Sequence, residues 1–212
     1  MTRFALFIFV FTFISCKSDR TEHLGDIEII FHQNGGSSVF VGGDNFENQD
    51  ARKLNNDGIA LAKEKEFEKA KGKFLKGLEF EPENPTLLNN IGNTEHRLRN
   101  YHKAIYYFEK SLETSDSTYL NSSLNLGLLY WKDYEFEKSV NVLEFTLSNS
   151  KDRFEKAFAH LQLAKTYLDM NKCKKSELSY LQAESELSNI SGFTKTLRDL
   201  KIEINNCVQH RL

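Results

Sequence analysis

Residues 51–84 read ARKLNNDGIALAKEKEFEKAKGKFLKGLEFEPEN, and the pattern of this stretch returns three more times before about residue 190. Its marker is a small residue behind a larger partner: Asp57-Gly58, Ile91-Gly92, Leu126-Gly127 and Leu163-Ala164, spaced by 34, 35 and 37 residues. Periods of this size mark stacked helical hairpins. One such hairpin cannot bury its own apolar face, so each must pack against the next.

Numbering each unit from 1 to 34 gives units at 51–84, 85–118, 120–153 and 157–190. Positions 8, 20 and 27 carry Gly, Ala, Ser or Thr throughout, which lets two helix backbones approach closely. Positions 4, 7, 11, 17, 24 and 28 are mostly Leu, Ile, Phe or Tyr, at the three- and four-residue spacing of an amphipathic helix. Asp57 and Glu95 depart from that rule at positions 7 and 11. Polar pairs before position 17 predict the turn inside each hairpin: Lys65-Glu66, Arg99-Asn100, Tyr134-Glu135 and Asn171-Lys172. Pro82 and Pro85, the chain's two prolines, close the first unit, because neither proline nor the residue before it continues a helix.

Leu54, Gly58, Leu61, Phe67, Ala70, Phe74, Gly77, Leu78 and Pro82 together resemble the tetratricopeptide consensus, and the match weakens towards the C-terminus. The resemblance implies an all-α fold. About four helix pairs form an α-solenoid, 51–190, and residues 191–212 cap it with a helix whose apolar side is Leu197, Leu200 and Ile204. It also implies that positions 2, 5, 9 and 12 of each first helix line a concave groove that holds another polypeptide. Those positions and their neighbours nominate Arg52, Asn55, Asn89, Asn93, His96, Arg97, Leu124, Leu128, Trp131, Lys132 and Lys165 as groove residues. A small error in helix phase would instead put Leu124, Leu128 and Trp131 in the core. Asn56, Asn90 and Asn125 recur at position 6, with Gln162 in the fourth unit, which points to a structural role. The Lys/Asn pattern that clamps a C-terminal carboxylate in some chaperone-binding relatives is not reproduced.

The 212 residues suffice for one repeat domain, with 28 basic and 30 acidic side chains and no basic stripe for nucleic acid. Residues 1–15 read as a signal peptide: Arg3, then an apolar run from Phe4 to Ile14 that is too short to span a membrane. Phe13-Ile14-Ser15-Cys16 resembles a bacterial lipobox, which makes Cys16 the lipid-attachment residue; the other reading is an ordinary signal peptide with an incidental cysteine. In lipoproteins of the enterobacterial type, Asp after the lipidated cysteine favours the inner membrane. Lys17 therefore points to the outer membrane. Residues 16–50 form a tether. Within it, Ile27–Phe31 and Val39–Val41 around Gln33–Ser38 make either a β-hairpin or a flexible spacer. With Cys16 acylated, Cys173 and Cys207 remain, either as a disulfide between unit four and the cap or as two small apolar residues.

No catalytic pattern is present. The six histidines are scattered, and there is no phosphate-binding glycine loop or nucleophile elbow. The expectations are a non-enzymatic scaffold with no metal and no cofactor, a protein partner, a lipid anchor and no nucleic acid. A broadly packing accessory subunit without a groove is the alternative, and an envelope hydrolase with no recognised motif is a third.

Overall fold

The computed structural model describes residues 20–24, 27–32, 36–41, 46–115, 119–190 and 192–209. The signal-peptide segment and Cys16 lie outside them. Nine helices occur among the described residues. They are α1 (Gln49–Lys63), α2 (Phe67–Phe80), α3 (Pro85–Arg97), α4 (Tyr101–Thr114), α5 (Leu120–Lys132), α6 (Phe136–Asn149), α7 (Arg153–Asp169), α8 (Cys173–Leu187) and α9 (Thr194–Gln209). Each odd-numbered helix up to α7 pairs with the next to form a hairpin. Each hairpin stacks on its successor through contacts of α2 with α3, α4 with α5 and α6 with α7, and α9 closes the end against α8 and α7.

The small residues explain the tightness of each pair. A Cβ on Gly58 or Gly92 would stand 2.5 Å from the ring of Phe74 or Phe108, and one on Gly127 would stand 2.6 Å from Leu143. Position 8 is thus the socket for the large side chain at position 24 of the same unit. In units three and four the position-20 serines, Ser139 and Ser176, donate to the carbonyls of Gly127 and Ala164, tying the two helices at that socket.

All four intra-hairpin turns have one geometry. Lys65, Arg99, Tyr134 and Asn171 adopt positive φ of 64°, 65°, 60° and 60°. Each is followed by an N–H that reaches back across the turn: Glu66 to Leu61, Asn100 to Glu95, Glu135 to Tyr130 and Lys172 to Tyr167. This is the Schellman closure, which favours glycine at the left-handed residue. Tyr134 stands there although 81% exposed. Tyr134→Gly should therefore raise stability by about 0.5–1 kcal/mol, against only the loss of its ring contact with Phe136. Urea denaturation of the two proteins measures this.

The two charged departures from the apolar pattern are accommodated by partners. Glu95 is buried, with its carboxylate 3.5 Å from Lys71 Nζ and accepting from Asn100 Nδ2 at 2.7 Å. Asp57 is half-buried and pairs with Lys73 at 3.1 Å. Glu81 accepts from the Asn48 N–H and from Asn84 Nδ2, so it joins the residues that cap α1 and α3.

Ahead of the helices lies an antiparallel sheet in the order β1 (Arg20–Leu24), β2 (Ile27–His32), β3 (Gly36–Val41), with Glu22 opposite Ile29 and Ile29 opposite Val39. The second strand pair is the hairpin alternative for the tether. Gly36, Ser37 and Ser38 pair with His32, Phe31 and Ile30, so they extend the strand where the sequence reads as turn. No apolar alternation announces β1, whose sequence is RTEHL.

Candidate functional site

The groove residues nominated by sequence divide into two groups. Asn55, Asn89 and Asn93 are buried, and they are corrected here from groove contacts to interior residues. For Asn55 and Asn89 the cause is an amide ladder between units. Asn90 Nδ2 donates to Asn55 Oδ1 at 2.8 Å, and Asn125 Nδ2 donates to Asn89 Oδ1 at 2.9 Å. Asn89 Nδ2 donates to Asn90 Oδ1 at 3.3 Å and joins the two rungs. The Ser122 hydroxyl sits 2.7 Å from Ser111 Oγ and 3.2 Å from Asn89 Oδ1. Position 5 of one unit therefore receives the position-6 amide of the next. Asn56, with no unit before it, is exposed. β3 also lies alongside α3, and Thr86 to Glu95 is buried without a break.

Leu124 is the fourth correction. Placed at position 5 where an asparagine would continue the ladder, it is buried with Leu143, Ala159, Leu163 and Tyr167. Its apolar side chain packs onto α7 and ends the polar ladder at unit three.

The remaining residues except Arg52 gather towards the C-terminal ends of α3, α5 and α7. Trp131 and Leu128 are half-buried. Trp131 Nε1 donates to Asp169 Oδ2 at 2.6 Å, which spans α5 to α7 across the concave side. Lys132 Nζ lies 3.1 Å from His96 Nε2, which spans α5 to α3. The His96 ring stands 5.8 Å from that of Tyr101. The Arg97 guanidinium lies over the Phe67 ring at 5.2 Å. Arg52 is exposed at the far N-terminal end of the stack.

The charges on this floor feel one another. Desolvation first, and then the Arg97 charge, hold the Lys132 ammonium below the usual lysine range. Desolvation also lowers Lys165; Lys132 pushes it the same way, while Glu203 and Asp169 partly offset both effects. The arrangement is a cation-rich floor with one indole at its centre.

Sequence reasoning missed Asp169 and Glu203. Asp169 sits at position 13 of its unit, as do Arg97 and Lys132, so the same register could have found it. Glu203 comes from α9, outside the repeat register. Cys173 and Cys207 form a disulfide across 34 residues, joining the start of α8 to the end of α9. Among the described residues no group of His, Cys, Asp and Glu could hold a metal ion, and no helix is long and apolar enough to cross a membrane.

No family model and no curated protein matches the sequence. Solved structures do resemble the fold. MamA from Desulfovibrio magneticus RS-1 is 17% identical with a TM-score of 0.58, over 78% of this chain and 93% of that one. PilF of Pseudomonas aeruginosa is 19% identical with a TM-score of 0.55, over 72% of this chain and 68% of that one. A tetratricopeptide repeat protein from Parabacteroides merdae is 15% identical with a TM-score of 0.59, over 77% of this chain and 62% of that one. The fold is that of tetratricopeptide-repeat proteins.

Proposed function

We propose that this chain is a protein-interaction scaffold of the bacterial cell envelope, anchored in the outer membrane through lipid on Cys16, and that it holds a segment of a partner protein on its concave side. The observation that carries the reading is Trp131. The chain's only tryptophan is half-buried on the concave floor, with its indole N–H donated to Asp169 across the groove. Aromatic residues in such settings are common anchors for partner proteins. Repeat solenoids use their extended concave surfaces in this way. The fold needs no catalytic group for this work.

A second reading has its own support. Several large apolar side chains are exposed on the second helices and on the cap: Tyr106 at 56%, Leu178 at 67%, Leu181 at 49% and Ile202 at 53%. An accessory subunit packing broadly through its outer surface would use these residues and leave the groove idle.

Photo-crosslinking in the producing cell separates the two. A benzophenone amino acid at position 132 should trap a discrete protein adduct, and one at position 178 should not. Adducts from position 178 alone would favour the accessory subunit. The anchor is tested on the same cells. Cys16→Ser should move the protein out of the membrane fraction or leave it unprocessed, and a processed variant that stays membrane-bound would remove the lipid from the account.

A further inference from the structure

Beside the concave floor, a cleft of about 450 Å³ opens between the turn of unit two and the end of α5. Its apolar lining is Ile105 and Leu129, and its rim carries Arg99, His102, Lys103 and Lys132 against a single carboxylate, Asp133. Arg99, His102 and Lys103 are exposed and make no ion pair among the described residues. Lys132 belongs both to this rim and to the floor, where it feels the Arg97 charge and itself acts on Lys165. Asp169 and Glu203 interrupt that charge, raising the Lys165 pKa where Lys132 lowers it.

Resting on the groove reading above, we propose that the cleft receives one bulky apolar side chain of an acidic polypeptide segment, whose flanking carboxylates meet the cationic rim and whose chain runs past Lys132 towards Trp131. Two features select this occupant. A compact anion would use the rim and leave the apolar lining empty. A basic or neutral segment would leave the cations crowded, whereas carboxylates complement a surface already short of them. The volume lies within the range of ordinary ligand pockets, large enough for an aromatic anchor.

Trp131 gives the assay its own reporter, since no other tryptophan contributes. The probe is a heptapeptide with one central phenylalanine among glutamates and aspartates. Its comparisons are the same peptide with amides in place of the carboxylates, the same with lysines, and inorganic phosphate. The acidic peptide should change the Trp131 emission saturably, and affinity should fall at least tenfold between low and high salt. Arg99→Asn with Lys103→Glu should weaken it at least tenfold. Both residues are exposed and asparagine tolerates the left-handed turn, so an unchanged melt shows that the fold is kept. Equal binding of the amide peptide, displacement by millimolar phosphate, an unaffected double variant or no response to any peptide would each overturn the proposal. A protein adduct from position 132 alongside such a result would leave the groove reading standing and remove only the acidic partner.

Discussion

Cys207→Ser is expected to lower stability by about 3–4 kcal/mol, because the disulfide with Cys173 closes a loop spanning 34 residues of sequence. The bond ties α9 to the beginning of α8, and α9 is what covers the last hairpin. Leu197, Leu200 and Ile204 pack with Phe193, Leu187 and Tyr180 in one cluster. Without the bond, α9 keeps that apolar contact but loses its tether. In a linear stack the loss should be felt first at the end that it caps. The melting temperature should fall by about 10 °C. Amide exchange should quicken in α8 and α9 and stay nearly unchanged in α1 to α4. Reductant should reproduce the effect on the wild-type protein and leave the variant unaltered. Equal melts with and without reductant would show that the cap is held by packing alone.

Asn89→Ala should cost about 3 kcal/mol or more, and the loss should appear in stability. Asn89 is buried and accepts from Asn125 Nδ2 while donating to Asn90 Oδ1, with the Ser122 hydroxyl beside it. Removing it orphans two buried amide groups, each worth about 1–3 kcal/mol when left without a partner. A double-mutant cycle with Asn125→Ala should show coupling, because the two residues share one hydrogen bond. A variant that melts like the wild type but loses its partner would return Asn89 to the groove and dissolve the ladder.

That reversal shows where the sequence was legible. Gly58, Gly92 and Gly127 announced the stacked hairpins, since a backbone packed against an aromatic or leucine side chain admits no Cβ. The polar pairs before position 17 located the turns, because each hairpin must reverse where no apolar contact is made. Positions 5 and 6 were harder. Both lie near the boundary between the core stripe and the groove stripe. Which of them meets the neighbouring unit depends on the rotation between units, which no single repeat encodes. Asn55 and Asn89 therefore read as groove residues in the sequence, whereas the stacking sets Asn90 and Asn125 opposite them. Leu124 and Leu128 looked equivalent in the pattern, yet only Leu124 lies against α7 with Ala159 and Leu163. The cleft was invisible for a related reason. Arg99 and Lys103 belong to one unit and Lys132 to the next, and only their stacking brings them to one rim.

The placement of a partner on the concave floor is tested most directly by Trp131→Ala, measured against the protein trapped from position 132. Affinity should fall by about 2 kcal/mol or more, some thirtyfold. The thermal melt should move by only a few degrees, because the indole is half-buried and its polar contact is with exposed Asp169. A fully buried tryptophan would instead cost roughly 3–5 kcal/mol on truncation. Unchanged affinity, or a melt that collapses with the variant, would contradict the account and place Trp131 in the framework of the solenoid.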